Sequence, residues 1–254
     1  MTQLQALYVV TGSSRGLGAA LVAQLLQPGH QLLGIARRSN PGLQARADAA
    51  GVPLQQWTAD LAEPQPVAER LAGWLAGFDG AAVASVTLVN NAGVVGLPAN
   101  LDQVPLATLS LALRAGLEAP LLLTSAFLAA TRGWAGTRRV LNISSGLGRR
   151  AMAGSAAYCA AKAGMDHFSR AVALEEAARP NGARIVSMAP GVVDTDMQAE
   201  LRGADAGSFP EQARFAALHA QGQLTSADDC ARALLARLQR ADFGQDPIAD
   251  IREG

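Results

Sequence analysis

Thr11-Gly12-Ser13-Ser14-Arg15-Gly16-Leu17-Gly18 follows an apolar run, Leu7-Tyr8-Val9-Val10, and precedes a helical pattern, Ala19-Ala20-Leu21-Val22-Ala23-Gln24-Leu25-Leu26. Strand, glycine-rich turn and helix in that order make a cradle for a phosphate. Small residues let the backbone approach the anion, and the helix N-terminus aims free N–H groups at it. Glycine-rich turns before helices also serve as plain connections, so the meaning of this stretch depends on what surrounds it.

Outward from the turn, β-like runs alternate with helical patterns. The expected strands are 7–10, 31–36, 53–58, 86–90, 139–143, 184–188 and a short seventh at 248–251; the expected helices that fill the gaps are 64–77, 106–130, 155–178 and 226–240. This alternation predicts an α/β fold, a Rossmann-type doubly wound parallel sheet with helices on both faces. No linker, repeat or low-complexity segment interrupts it, so residues 1–254 are read as a single domain. Ligands of such sheets lie beyond the carboxyl ends of the strands, which directs attention to those ends.

Composition narrows the partners. Twenty arginines and one lysine balance 21 acids, and a net charge of zero argues against nucleic acid. The first residues lack the basic and apolar regions of a signal peptide. No uninterrupted apolar stretch reaches the ~18 residues of a membrane span; the nearest, Leu121–Ala130, is read as a buried helix. No membrane partner and a cytoplasmic location are therefore expected. Cys159 and Cys230 make neither a disulfide framework nor a metal site, and His30, His167 and His219 are too scattered to form a ligand set.

The second expected strand ends at Ala36, followed by Arg37 and Arg38. Dinucleotide folds that prefer NAD carry an acid there to bond the ribose hydroxyls. A carboxylate would repel a 2′-phosphate, whereas arginine binds one. Arg15, inside the glycine turn, is placed to reach the same phosphate. The pair Arg37-Arg38 also reads as a solvated loop, but its position and the third arginine favour NADPH/NADP+. At the end of the third strand, Asp60-Leu61 either meets the adenine amino group or caps the helix that starts near Pro64. At the end of the fourth, Asn90-Asn91-Ala92-Gly93 is either an ordinary turn or a place where backbone passes close to the cofactor.

Tyr158 and Lys162 stand four apart in a helical stretch and so share a face. Free tyrosine titrates at about 10; a nearby cation favours phenolate and is expected to lower that value, making the phenol a usable acid or base. Lys162 is the sole lysine among 21 basic residues, and Tyr158 is one of two tyrosines. Arginine's planar fork would not replace a compact ammonium there.

Taken together, Thr-Gly-x-x-x-Gly-x-Gly at 11–18, Asn-Asn-Ala-Gly at 90–93, Tyr-x-x-x-Lys at 158–162 and Pro-Gly at 190–191 resemble the short-chain dehydrogenase/reductase family over nearly the whole chain. The resemblance implies that Gly12, Ser14, Gly16, Leu17, Gly18, Asn91, Ala92 and Gly93 line the dinucleotide. Pro190, Gly191, Val193 and Thr195 would hold the nicotinamide carboxamide, and Thr195 is also read as an N-cap. It implies a catalytic serine 13 residues before the tyrosine, which is Ser145; Ser144 is read as structural. Ser145 would orient a substrate carbonyl beside Tyr158, while Lys162 binds the nicotinamide ribose. At the family's asparagine position stands Gly116. Its backbone carbonyl would do the work, left free of the helix ladder by Pro120 and facing a water near Lys162. Residues 195–222 are expected to form a flap over the substrate, with Met152, Val192, Met197 and Leu201 as pocket or core. The resemblance further implies a homodimer or homotetramer through the helices that carry Gly116 and Tyr158.

Within the family, Ala173–Glu176, Ala189–Gln198 and the tail from Asp242 to Asp250 are most similar to sepiapterin reductases and the related benzil (diketone) reductases. That likeness suggests Asp250 as a substrate anchor, against a plain reading as a solvated acid near the chain end. It points to a small-molecule ketone or α-diketone as substrate. An NADP-dependent alcohol dehydrogenase uses the same residues in reverse, and Gly116 leaves room for a non-catalytic nucleotide sensor.

Overall fold

The computed structural model describes residues 6–253. Its strands are β1 (Ala6–Thr11), β2 (His30–Ala36), β3 (Leu54–Thr58), β4 (Ser85–Asn90), β5 (Thr137–Ile143), β6 (Arg184–Ala189) and β7 (Ile248–Asp250). They form one sheet in the order β3-β2-β1-β4-β5-β6-β7, with every neighbouring pair parallel. The strand order reverses between β1 and β4, so a crevice opens there at the carboxyl edge.

The strands read as near-continuous apolar runs because a parallel sheet is covered on both faces. Leu7 and Val9 of β1 pack with Leu33, Leu88 and Val140 on one side; Tyr8 and Val10 pack with Leu32, Val89 and Leu141 on the other. Helices α3 (Pro64–Leu75) and α5 (Ala119–Ala130) cover the first face through Leu71, Leu75, Leu123 and Phe127. Helices α1 (Gly16–Leu25) and α9 (Ala227–Gln239) cover the second through Leu21, Leu25, Leu234 and Leu238. Each such side chain, fully buried, is worth about 1.5–3 kcal/mol. A third cluster, Val95, Leu147, Met152, Leu201, Phe209 and Phe215, lies beyond the carboxyl edge.

Three helices were not expected. The stretch α2 (Pro41–Ala50) buries only Leu43 and Ala47, so it carries no apolar stripe; its ends are nonetheless marked, by Asn40 accepting from Leu43 N–H and by Gly51 at φ 63°. Within the flap, α7 (Asp196–Arg202) and α8 (Gln212–Ala220) bury mainly Leu201 and Phe215 against the third cluster.

The expected helix 106–130 is continuous but not uniform. It runs as α4 (Leu106–Leu113), a π-helical turn at Arg114–Glu118, and α5. The turn is closed by Ala119 N–H donating to Arg114 O, five residues back. Pro120 explains it: with no N–H, it cannot accept the role of donor to the Gly116 carbonyl, and the ladder widens instead. The 25 residues are long and apolar enough to cross a membrane by length and composition. In the fold, Leu123 and Phe127 sit in the core, and Arg114 and Glu118 fall at mid-length.

Candidate active site

The switch point is locked by side chains. Thr11 Oγ1 accepts from the N–H groups of Asn91 (2.9 Å) and Ala92 (3.0 Å), and Asn91 Nδ2 donates to Thr11 O at 3.0 Å. Gly12 adopts φ +67°, and a Cβ on Gly18 would lie 2.1 Å from Gly12 O. The turn therefore folds back on the first turn of α1 as closely as backbone permits, leaving its N–H groups open to an anion.

Beyond this edge lies a single cleft of about 840 Å³. All the residues expected to contact a dinucleotide line it: Gly12 and Ser14 to Gly18 of the turn, Arg37 and Arg38, Asp60 and Leu61, Asn91 to Gly93, Tyr158, Lys162, and Pro190, Gly191, Val193 and Thr195. The cradle that no Cβ would leave open fits a dinucleotide, and Arg37 and Arg38 form no ion pair among the described residues, so both are free for an anionic group. Arg15 differs. It reaches across the cleft to the Asp196 carboxylate of α7, and both side chains are largely exposed. Asp60 is not the helix cap; its Oδ1 accepts from Ala62 N–H at 2.9 Å, and Glu63 occupies the cap position of α3. Thr195 stands at the N-cap position of α7 without a side-chain capping bond.

The catalytic candidates come from β5 and α6 (Ala156–Ala177). Asn90 and Asn142, paired across β4 and β5, join side chains at 2.8 Å, and Asn142 Nδ2 donates to Ser169 Oγ at 2.9 Å, pinning α6 to the sheet. Ser144 Oγ donates to Asp166 Oδ1 at 2.5 Å, and Ser187 Oγ to the same oxygen at 2.7 Å. Ser144 is thus structural, and it holds its neighbour Ser145 at the cleft. Ser145 caps a 3₁₀ turn, accepting from Leu147 N–H at 3.1 Å, and lines the cleft together with Tyr158. Lys162 Nζ donates to Ile143 O at 2.7 Å and lies 5.7 Å from the Tyr158 ring centre.

The electrostatics correct one expectation. Tyr158 is not lowered towards neutrality; burial pushes it up to about 12, with the Ser145 hydrogen bond opposing. Lys162 is itself buried and brought down to about 8, with the Asp166 carboxylate opposing. At neutral pH the phenol keeps its proton, the state needed to donate one.

Gly116 and Asp250 do not line the cleft. Gly116 is buried in the π turn, and a Cβ there would lie 3.1 Å from Ala161 Cβ, so a small residue lets this helix approach α6. Asp250 is not a solvated tail acid. It is 3% exposed, bound by Arg252 Nε at 2.8 Å and Nη2 at 2.5 Å, with Arg149 Nη1 at 4.0 Å. Arg252, not Asp250, reaches the cleft wall. Arg149 also faces Asp166 Oδ2 at 3.4 Å, so the tail is tied to the loop that carries Ser145.

Met152, Val192, Met197 and Leu201 line the cleft, and Met152 and Leu201 also belong to the third apolar cluster, with Met197 packed against it. The structure adds Val95, Leu147, Ser155, Gln198 and Phe215. Ser155 had a signal in the sequence, one helical turn before Tyr158. Phe215 had none, since its position depends on how the flap folds.

A nucleotide cleft at the switch point of a doubly wound sheet, with serine, tyrosine and lysine converging on it, defines a nicotinamide-dependent oxidoreductase. The model of the short chain dehydrogenase family matches residues 6–206, and the chain belongs to that family. It is 34% identical over 245 residues to a benzil reductase ((S)-benzoin forming) of Bacillus cereus, covering 96% of this chain and 98% of that one. It is 34% identical over 263 residues to the sepiapterin reductase of Rattus norvegicus, covering 94% and 93%. A metagenomic short-chain oxidoreductase solved in complex with NADP superposes with a TM-score of 0.71 at 27% identity, covering 98% and 96%.

Proposed function

We propose that this chain reduces ketones with NADPH, and that vicinal diketones such as benzil are its substrate class. The observation that carries the reading is the placement of Ser145, Tyr158 and Lys162 at one end of a cleft whose other end presents the unpaired Arg37 and Arg38. Similarity to benzil and sepiapterin reductases over nearly the full chain supports a carbonyl substrate. The lining of Leu147, Met152, Leu201 and Phe215 suits an apolar one.

When bound, NADPH would supply the hydride for the carbonyl carbon. The chain's own groups do the rest. The N–H groups of the glycine turn hold the pyrophosphate, and Arg37 with Arg38 takes the 2′-phosphate. Ser145 donates to the carbonyl oxygen and fixes it beside the Tyr158 hydroxyl. Tyr158, protonated at neutral pH, gives its proton to that oxygen as negative charge develops. Lys162 holds the nicotinamide ribose and places a positive charge below the phenol as it is deprotonated. The Gly116 carbonyl, which has no N–H to meet it at Pro120, would accept from a water behind Lys162.

The test is NADPH consumption by the purified protein with benzil, sepiapterin and simple diketones side by side. Turnover of benzil that exceeds turnover with NADH in place of NADPH is expected. No consumption with any ketone would overturn the reading in favour of a nucleotide-binding sensor.

A further inference from the structure

Two buried polar atoms of cleft-lining residues have no hydrogen-bond partner among the described residues. One is Ser155 Oγ, on a residue only 5% exposed; the other is Gln198 Oε1, on α7. Buried polar atoms are nearly always paired, because an unmet one forfeits its hydration without return. The other such atoms lie elsewhere. Asp166 Oδ2 and Arg202 Nη1 face opposite charges at 3.4 and 3.6 Å, while those of Arg138 and Arg139 sit at the amino end of β5. Asn90 Oδ1 belongs to the network that pins α6.

Ser155 occupies the N-cap position of α6, where a serine hydroxyl usually accepts from a backbone N–H. Here it makes no such bond; only its carbonyl is used, accepting from Cys159 N–H at 2.8 Å. The hydroxyl is therefore not spent on the helix. It stands one turn before Tyr158, so the two side chains are neighbours on one face and both line the cleft. Its oxygen is closed to solvent in this rotamer, and the residue also borders a small void with Val95, Ala99 and Ala112, so a turn about χ1 is what brings the hydroxyl to the cleft.

A monoketone offers one oxygen, which Ser145 and Tyr158 already meet, and leaves the Ser155 hydroxyl dry. A vicinal diketone carries a second oxygen on the adjacent carbon. We propose that Ser155 is a specificity-determining residue, whose hydroxyl donates to the second carbonyl oxygen of a vicinal diketone while the first lies between Ser145 and Tyr158. The inference rests on the reductase reading above and deepens it. It separates substrates that fill an apolar pocket from those that also satisfy a buried donor, a distinction that hydrogen-bonding sites enforce more strongly than apolar ones.

The test compares kcat/KM for benzil and for deoxybenzoin, in which a methylene replaces the second carbonyl, in the wild type, Ser155→Ala and Ser155→Thr. The benzil-to-deoxybenzoin ratio should fall about five- to tenfold in Ser155→Ala, the worth of one neutral hydrogen bond, and be kept in Ser155→Thr, which retains the hydroxyl. The ratio is internal to each preparation, so a partly inactive sample does not move it. If Ser155→Ala gives no folded protein, Ser155→Gly provides the same reading with a residue tolerated at an N-cap. An unchanged ratio on loss of the hydroxyl overturns the proposal while leaving the reductase reading intact. A wild type that reduces neither ketone overturns both.

Discussion

Lys162 is held under opposing influences. Burial favours the neutral amine and brings it down to about 8, while Asp166, one turn further along α6, favours the ammonium. Its charge is present below pH 8 and fades as pH rises through that value. The reductive kcat/KM should therefore decline above about pH 8, since Lys162 no longer offsets the developing phenolate; a profile flat from pH 6 to 10 would contradict this role. The same shift bears on folding. The unfolded chain keeps the lysine proton up to its ordinary value of 10.5, so between about 8 and 10.5 the unfolded state binds more protons and this group's contribution to stability rises with pH. At the opposite end of the cleft, Arg37 is exposed and makes no ion pair among the described residues. Arg37→Asp should weaken NADPH binding about 10- to 100-fold, the scale of one charged hydrogen bond, and move preference towards NADH. An unchanged NADPH-to-NADH ratio would remove Arg37 from the phosphate site. Arg15 carries less weight here, because the structure commits it to Asp196.

At the scale of elements, the strands and the turn were readable because their signals are local. Leu7–Val10 had to be buried on both faces, and Gly12 and Gly18 had to be glycine for the turn to close. Tyr158 and Lys162 were readable from helical spacing. What escaped depended on the fold. Helix α2 has no apolar face to announce it, the π turn follows from what Pro120 does to a ladder already formed, and the fate of Asp250 was decided by Arg252 and Arg149, of which the second lies a hundred residues away. The helices also present an outer face that the core does not use. Leu106 on α4 is 83% exposed and Leu174 on α6 is 76% exposed, with Leu113 and Leu121 partly so. We propose that a second copy of this chain covers these side chains. Sedimentation should give a dimer or tetramer, and Leu106→Glu with Leu174→Glu should shift it to monomer. A wild-type monomer at micromolar concentration would contradict this assembly.

Across the whole molecule, the sheet brings residues far apart in sequence to one edge: the turn after β1, the arginines after β2, the serine after β5 and the loop after β6. Asp166 and Arg149 then brace that edge from behind, joining α6, the Ser144–Ser145 loop, β6 and the chain's end. This bracing explains how the cleft keeps a serine, a phenol and an ammonium in register. In the proposed reaction the Tyr158 hydroxyl gives the proton that completes ketone reduction. Tyr158→Phe removes that hydroxyl and leaves the ring. Measured with benzil and NADPH, kcat should fall about 10²- to 10⁴-fold, the range of general acid catalysis, while NADPH titration by fluorescence gives an unchanged Kd. Turnover within a few-fold of the wild type would contradict the account.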